Sequence, residues 1–192
     1  NTHCEGRLQT FRFSFELTLP FKNYYVLDGR NKEEANSLVE KADFIYLSGG
    51  HLPSANSFIN NINLKELINN NPDAVICGVS AGSMNCADVV CCPPELEGES
   101  LDPNFKVYLK GLGLTNINIM PHFNSLQNCI LDGKDMLKEI LFPISKKTEL
   151  LAIDDFSYVL IDNGKSKIYG SAYTIKDGVV KQISENDNIL EL

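Results

Sequence analysis

Short apolar runs alternate with helix-like patterns along most of this chain, and this alternation limits the folds that the sequence can adopt. Each run is apolar or rich in β-branched residues, as strands are, and an amphipathic stretch follows it. Strands that alternate with helices form βαβ units, whose strands pair in parallel. The sequence therefore predicts an α/β fold with a mostly parallel central sheet flanked by helices.

The predicted elements follow this alternation from residue 24 onward. Strands are predicted at residues 24–27, 44–47, 74–77, 117–120 and 150–153, and helices at residues 32–41, 64–70, 81–87 and 135–141, with one more ending near Asn61. Residues 93–103 are acidic and rich in turn formers, which predicts a surface loop. After residue 157, short strands are separated by Asn163-Gly164 and Asp177-Gly178, which are typical of hairpin turns. Antiparallel hairpins are therefore expected near the C-terminus.

The length of 192 residues suits one domain, and a domain of this size buries roughly 70% of the surface of its unfolded chain. We therefore predict a single domain over residues 1–192. Residues 1–20 show no clear pattern, and the first residue is Asn rather than Met. An incomplete N-terminal strand is kept as an expectation.

The charge of the chain disfavours two classes of partner. A formal net charge of -8 opposes binding to nucleic acid or to an anionic membrane surface, so the expected ligand is small. No apolar run approaches the roughly 20 residues of a membrane span, and no charged-then-apolar leader opens the sequence. We expect a cytoplasmic protein, and a homodimer is kept open.

The six cysteines lack the pattern of a metal site or of a disulfide framework. Cys91 and Cys92 are adjacent, and no Cys-x-x-Cys pair occurs. We therefore expect reduced thiols and no bound metal.

The segment Gly78-Val-Ser-Ala-Gly82 matches G-x-S-x-G, the pattern of a nucleophile elbow. In such an elbow, a sharp turn between a strand and a helix exposes the serine oxygen, and small neighbours leave room for the turn. The segment lies between the strand predicted at 74–77 and the helix predicted at 81–87. A tight turn with a solvated serine is the alternative, but this context favours Ser80 as a nucleophile.

A serine nucleophile needs a base within hydrogen-bonding reach, and the sequence offers three histidines: His3, His51 and His122. His3 lies in the segment without a pattern, and His51 lies in a glycine loop. His122 comes just after the strand predicted at 117–120. Since ligand sites of open α/β sheets collect at the carboxyl ends of strands, His122 is predicted to meet Ser80 there.

The histidine in turn needs a carboxylate that fixes its tautomer and stabilises its charged form. Asp154 and Asp155 directly follow the strand predicted at 150–153, again at a carboxyl end. Capping of the next turn is the commoner use of such aspartates. Asp88 and Glu95, downstream of the elbow helix, are the other candidates.

Backbone N–H groups must stabilise the oxyanion that forms when a serine attacks a carbonyl. One normally comes from the residue after the nucleophile, here Ala81, and another from a glycine loop on a neighbouring strand. Gly49 and Gly50 follow the strand predicted at 44–47 and precede a helix, and His51 comes next. We therefore predict that Gly49, Gly50, His51 and Ala81 line the oxyanion or substrate-binding site.

Three segments together resemble the dipeptidase E and cyanophycinase group of serine peptidases. They are Leu47-Ser-Gly-Gly-His-Leu-Pro53, Gly78-Val-Ser-Ala-Gly-Ser-Met84, and Gly111-Leu-Gly-Leu114 leading to Pro121-His-Phe123. The likeness runs from about residue 24 to residue 170. Its specific part is the S-A-G elbow combined with the downstream G-L-G-L and P-H-F.

The resemblance implies an α/β fold of the class I glutamine amidotransferase type, with Ser80 as nucleophile and His122 as base. In that group the acid has been placed either downstream of the serine, which falls near Glu95, or after a late strand, which falls on Asp155. We prefer Asp155, because a strand end is more rigid than a Pro-rich loop, and keep Glu95 as the second choice.

The chain departs from that group in its arginines. Aspartyl dipeptidases bind a substrate carboxylate, for which the forked guanidinium of arginine is best suited. The arginines of this chain are Arg7, Arg12 and Arg30, none of them near the predicted site segments in sequence. Lys134 or Lys138 could take this role as point charges, although a solvated helix face is the commoner use of both. Specificity for an N-terminal aspartate is therefore not predicted.

The sequence thus predicts a serine peptidase or amide hydrolase that acts on a small peptide or peptide-like substrate through an acyl-enzyme, without a cofactor. A glutaminase of the amidotransferase kind is disfavoured, because it uses a cysteine where this chain has Ser80. A non-catalytic ligand-binding or regulatory domain of the same fold is the alternative from another class. The arginine pattern favours that alternative, and the retained serine, histidine and acid candidates oppose it.

Overall fold

The computed structural model describes residues 21–186 and 188–192. The chain divides into two compact units, one formed by Asn1–Ile45 and Phe58–Val75 and the other by Tyr46–Ser57 and Ile76–Leu192. The expected N-terminal strand lies outside the described residues, as does His3. The expectation of one domain stays a prediction.

Helices and strands alternate along the described residues. The α-helices are α1 (Ala35–Glu40), α2 (Leu52–Asn61), α3 (Leu64–Asn69), α4 (Ala81–Met84), α5 (Phe123–Leu126) and α6 (Phe142–Ser145). There are 3-10 turns at Lys32–Glu34 and Glu99–Leu101, and a π-helix at Met136–Leu141. The strands are β1 (Phe44–Leu47), β2 (Val75–Gly78), β3 (Val89–Cys91), β4 (Tyr108–Lys110), β5 (Ile119–Met120), β6 (Ile130–Leu131), β7 (Lys134–Asp135), β8 (Leu150–Ile153), β9 (Tyr158–Asp162), β10 (Lys165–Tyr169), β11 (Ala172–Lys176), β12 (Val179–Ser184) and β13 (Ile189–Glu191). The fold is therefore α/β, as predicted.

The strand predicted at residues 24–27 is wrong, since the structure has no strand there. The carbonyl of Val26 accepts a hydrogen bond from the side chain of Asn31 at 3.0 Å, and the same side chain accepts from the N–H of Asp28 at 3.0 Å. The Asn31 side chain thus ties this segment to the turn that follows it.

Parallel pairing between described strands occurs at two places. In β1 and β2, the N–H of Val75 donates to Asp43 and that of Val79 donates to Leu47, each at 3.0 Å, so both strands run the same way. Strand β5 is parallel to β8, which continues through antiparallel ladders into β11 and β12. All four residues of β8 are buried, which explains its unbroken apolar sequence.

The predicted C-terminal hairpins are confirmed. Strands β9 and β10 are joined by Asn163-Gly164, and β11 and β12 by Asp177-Gly178. All four turn residues have positive φ, between 49° and 76°, as a type I′ turn requires. Strand β13, which the sequence did not predict, pairs with β10.

Helix α4 is shorter than the helix predicted at residues 81–87. The carbonyls of Asn85 and Cys86 accept hydrogen bonds from Leu112 and Leu114, at 2.9 and 2.8 Å, instead of continuing the helix. An incoming chain segment therefore ends α4 after Met84.

One apolar core supports the elements on both sides of the candidate site. Ala81 and Met84 of α4, Met120 of β5 and Phe123 of α5 are at most 5% exposed and belong to one cluster. Residues next to them in sequence are thus held on rigid elements. Within the described residues, no helix has the length and apolar character needed to cross a bilayer.

Candidate active site

Ser80 occupies a strained turn between β2 and α4, with φ 53° and ψ -122°. Residues with a Cβ atom rarely adopt this conformation, and it persists only where the surroundings impose it. A Cβ atom on Gly82 would lie 1.9 Å from the carbonyl oxygen of Leu47, and one on Gly78 would lie 2.7 Å from the Cα of Ser83. Both glycines of G-x-S-x-G are therefore sterically required, and the turn has the shape of a nucleophile elbow.

The carbonyl of Ser80 helps to hold this turn. It accepts hydrogen bonds from the N–H groups of Ser83 and Met84, at 2.9 and 3.2 Å, and from the Ser83 hydroxyl at 2.6 Å. The serine side chain remains available for other partners.

His122 reaches Ser80 from the end of β5. It has φ 59° and ψ 33° and immediately precedes α5. Its Nε2 lies 3.0 Å from Ser80 Oγ, and its Nδ1 lies 2.6 Å from Oδ1 of Asp155. Because an ionised carboxylate only accepts, Nδ1 donates to Asp155, and the tautomer with its proton on Nδ1 leaves Nε2 to accept from the serine hydroxyl.

Asp155 completes this series of hydrogen bonds from its position two residues after β8. The hydrogen bond from His122, and a weaker one from Asn124 at 3.4 Å, hold the pKa of its carboxyl below the usual range. The side chains of His122 and Asp155 are 50% and 41% exposed, so a small molecule can reach them. Asp154, the other strand-end candidate, instead accepts from the hydroxyl of Tyr173 at 3.3 Å.

The glycine loop lies directly against the serine. A Cβ atom on Gly49 would be 2.9 Å from that of Ser80, so only glycine permits this approach. Gly50 has φ 136°, which also favours glycine. Among the described residues, the N–H groups of Gly50 and Ala81 have no protein acceptor. Two backbone N–H groups, one in the glycine loop and one directly after the serine, are thus available to a ligand.

His51 is fixed by two side chains that the sequence did not single out. Its Nε2 is 2.8 Å from Oε1 of Glu99, and its Nδ1 is 2.8 Å from the Ser54 hydroxyl. The other oxygen of Glu99 accepts from the N–H groups of Glu95 and Leu96 at 2.8 and 2.9 Å. Despite the opposing effect of burial, these hydrogen bonds lower the pKa of Glu99. Glu99 therefore joins the glycine loop to the loop at residues 93–103.

Glu95 lies beside the glycine loop and makes no hydrogen bond to His122. Its Oε2 accepts from the N–H of Leu52 at 3.2 Å. Burial raises the pKa of its carboxyl, while the hydrogen bond from Leu52 and the nearby charges of His51 and His122 oppose the rise. The structure therefore places Asp155, rather than Glu95, on the imidazole.

The cysteines near the elbow are free thiols. Desolvation raises the pKa of Cys86 to about 11, and that of Cys91 also to about 11. Neither is therefore activated as a thiolate. In the described part of the chain, no group of three or more histidine, cysteine, aspartate or glutamate side chains could hold a metal ion.

Glu99, Ser54 and Asn124 are the site residues that sequence reasoning missed. Each lies in a loop or near a helix start, and none forms part of a motif. For Asn124, the position two residues after His122 was the only available signal.

Comparisons with known proteins found one sequence family and one solved structure that this chain resembles. The sequence model of peptidase family S51 matches residues 14–169. The chain is also similar to the 1.5 Å crystal structure of a candidate peptidase E protein from Listeria monocytogenes EGD-e, with a TM-score of 0.51 and 16% identity. That match covers 79% of this chain and 65% of the other, so this chain spans less than two thirds of that protein. None of the curated proteins compared with the chain matches it significantly.

Proposed function

The chain belongs to peptidase family S51, and on this premise we propose that it is a serine-type hydrolase that cleaves an amide bond in a small peptide or peptide-like substrate. One observation carries the proposal. Hydrogen bonds of 3.0 and 2.6 Å connect Ser80 to His122 and His122 to Asp155. This is the order of groups that activates a serine hydroxyl.

In the proposed reaction, Ser80 Oγ attacks the carbonyl carbon of the substrate while Nε2 of His122 takes the hydroxyl proton. His122 then gives this proton to the leaving amine, and an acyl-enzyme remains on Ser80. Asp155 holds the Nδ1 proton in place and stabilises the imidazolium that forms in between.

The oxyanion of the tetrahedral intermediate would bind to the N–H groups of Ala81 and Gly50. Their lack of protein acceptors supports this role, as does the contact of Gly49 with Ser80. A water molecule, deprotonated by His122, then attacks the acyl carbonyl, and His122 returns the proton to Ser80 Oγ as the bond between the acyl carbon and Oγ breaks and the acid leaves. Apart from substrate and water, these steps use only groups of the chain and involve no change of oxidation state.

Labelling with a fluorophosphonate probe tests the nucleophile. We expect the wild type and the matched control Ser57→Ala, an exposed serine of α2, to be labelled equally, and Ser80→Ala to be unlabelled. Absence of labelling on folded wild type would overturn the proposal and favour a ligand-binding domain that lacks catalysis.

Two further variants test the partners of Ser80. His122→Ala should abolish labelling, and Asp155→Asn should slow it about 10²- to 10⁴-fold, because the asparagine no longer fixes the imidazole tautomer. Asp154→Asn is the control for Asp155→Asn, since its side chain bonds to Tyr173. A full labelling rate in Asp155→Asn would show that another acid serves His122.

Three further inferences accompany this proposal, on the type of sheet, the cellular location and the oligomeric state. We infer a central, mostly parallel sheet of the class I glutamine amidotransferase type, supported by the parallel pairs β1–β2 and β5–β8. The cytoplasm is the proposed location, and a homodimer is a proposal that sedimentation would test.

A further inference from the structure

A phenylalanine occupies a tight turn directly after Asp155, at a position that suits a smaller residue. The N–H of Ser157 donates to the carbonyl of Asp154 at 3.1 Å, which closes a turn with Asp155 and Phe156 at its centre. Phe156 has φ 68°, whereas φ of Asp155 is negative. These signs are those of a type II turn, whose second central position favours glycine or asparagine. A bulky side chain there is strained.

Contacts at both ends of this turn impose the conformation of Phe156. At one end, the N–H of Asp154 donates to the carbonyl of Ser171 at 3.2 Å. At the other end, a Cβ atom on Gly170 would lie 2.5 Å from Ser157 Oγ, so the two segments are closely packed there. The turn is thus anchored to the residues between β10 and β11, and strain at Phe156 persists because these contacts hold it.

The side chain of Phe156 gives the fold nothing in return for this strain. It is fully exposed, at 103% of its reference area, so the ring adds no burial to the core. Glycine would relieve the strain, and asparagine would reduce it, without loss of packing. A ring that is both strained and in water, next to a residue of the candidate site, therefore points to a ligand that covers it.

The turn lies on the side of the site where the leaving group of a substrate would pass. In the proposed reaction, His122 gives its proton to the leaving amine, so the residue after the scissile bond lies against the imidazole. Asp155, the first central residue of the turn, binds the same imidazole at 2.6 Å. The carbonyl oxygen of the substrate instead turns towards the N–H groups of Ala81 and Gly50. The leaving residue is therefore the part of a small peptide expected nearest to Phe156.

We propose that Phe156 contacts the residue after the scissile bond, so that the enzyme prefers short peptides whose leaving residue has an aromatic or large apolar side chain. This inference rests on the proposed function, since it takes the leaving amine to be released at His122. Contact between two apolar side chains removes both from water, and a pair of aromatic rings adds to this gain. Because the side chains of His122 and Asp155 are half-exposed, the space beside them is open to such a residue.

The test compares Ala-Phe with Ala-Ala, which differ in the leaving residue alone. Release of the free amino acids is followed by chromatography for the wild type and for Phe156→Gly. We expect the wild type to favour Ala-Phe about 3- to 10-fold in kcat/KM, the range for a contact between two aromatic rings. In Phe156→Gly this ratio should fall towards one, mainly through a higher KM for Ala-Phe. Phe156→Leu, which keeps an apolar side chain, should give an intermediate ratio.

Two further measurements control for effects on folding and for the loss of any exposed apolar side chain. Phe156→Gly should melt about 2–4 °C above the wild type, because glycine adopts φ 68° without strain. Val179→Ala removes an apolar side chain that is 63% exposed, and it should retain the wild-type ratio. Val179 pairs with Lys176, next to the start of β8, whereas Asp155 follows the end of that strand.

Fluorophosphonate labelling of Ser80 separates the inference from the proposed function. Its rate is measured with each peptide present, so that binding is compared even for a peptide that is not cleaved. A labelled wild type that treats Ala-Phe and Ala-Ala alike in both measurements would overturn the role of Phe156 and leave the hydrolase intact. An unchanged ratio in Phe156→Gly would do the same, and loss of a dimer in that variant would then assign the ring to an interface between copies. Absence of labelling in folded wild type would remove the proposed function itself.

Discussion

The backbone of Ser80 has φ 53° and ψ -122°, a conformation that disfavours any side chain with a Cβ atom. Such strain costs on the order of 1–3 kcal/mol and is retained where the surrounding structure imposes it. The close approaches of Gly49, Gly78 and Gly82 to their neighbours show what imposes it here. The turn that exposes the serine oxygen therefore lowers the stability of the folded protein.

Ser80→Gly should consequently be more stable than the wild type while losing all hydrolytic activity. Glycine adopts this conformation without strain, and part of the gain is offset by its freer unfolded chain, so we expect about 1 kcal/mol in urea denaturation. Ser80→Ala, which keeps the Cβ atom, is the control and should show no such gain. Equal stability of the two variants would mean that Ser80 is not strained.

Ionisation of Glu95 and of Glu99 should change the free energy of unfolding in opposite directions at pH 7. The pKa of Glu95 is raised in the folded state by burial, so its ionisation destabilises the protein above its unfolded-state pKa of about 4.3. Glu95→Gln should therefore be more stable than the wild type at pH 7, with the difference disappearing as pH falls towards 4.

Glu99 provides the matched comparison, because its hydrogen bonds lower its pKa in the folded state. Its stabilising contribution is present above the unfolded-state pKa and is lost as pH falls through the lower folded-state value. Glu99→Gln should thus be less stable than the wild type at pH 7, and the difference should shrink in acid. Urea denaturation at pH 7, 5 and 3.5 measures both variants. A stability change of the same sign in both variants at pH 7 would contradict the opposite directions of the two pKa shifts.

At the scale of elements, the loop at residues 93–103 is held by the turn between β6 and β7. The carboxylate of Asp132 accepts from the N–H groups of Gly98 and Ser100, at 2.8 and 3.1 Å. Lys134, in β7, donates to the carbonyl of Ser100 at 2.5 Å. The hairpin thereby fixes the segment that carries Glu95 and Glu99, although it contributes no group to the site itself.

Asp132→Ala should therefore loosen the loop at residues 93–103 without removing the nucleophile. We expect faster amide hydrogen exchange at Gly98 and Ser100, because their N–H groups lose the carboxylate that accepts from them. Fluorophosphonate labelling of Ser80 should persist. Asp132→Asn, which still accepts hydrogen bonds and tolerates the positive φ of 52°, should retain more protection than alanine. Equal exchange in all three proteins would argue against this coupling.

The sequence predicted those strands whose own residues form a recognisable apolar run. The strands at residues 44–47 and 150–153 were placed with correct bounds, because four consecutive apolar residues between polar ones have the length of a buried strand and are too few for a helix. Strands such as β6 and β7, with two residues each, are too short to show any period. The strand predicted at 24–27 is absent, and the bond from the Asn31 side chain to the carbonyl of Val26 is a contact that periodicity does not reveal.

For the candidate site, residues adjacent to strand ends were the ones that sequence reasoning could name. Ser80, His122 and Asp155 each follow a strand, and the structure brings their side chains together. Glu99 could not be found in this way, because it meets His51 only through a loop contact between residues 48 positions apart. Their catalytic roles stay predictions until the variants are measured.

At the scale of the whole molecule, the charge distribution should govern which peptides reach the site. The chain has a net charge of -8, and the segments that carry the site, residues 46–57, 76–105, 119–133 and 150–164, hold none of its 17 lysines and arginines. On the proposed function, a cationic peptide is expected to be attracted towards the site and an anionic one to be repelled, and salt should weaken both effects.

Raising the ionic strength should consequently change kcat/KM in opposite directions for charged dipeptides. Between about 0.01 and 1 M salt the Debye length falls from about 30 to 3 Å, so electrostatic forces between distant charges are largely screened. We expect kcat/KM to fall several-fold for Lys-Ala, to rise for Asp-Ala, and to change little for Ala-Ala, the internal control. Because Glu95→Gln removes one negative charge beside the glycine loop, its salt dependence for Lys-Ala should be shallower than that of the wild type. A common salt response for all three dipeptides would show that local contacts alone select the substrate.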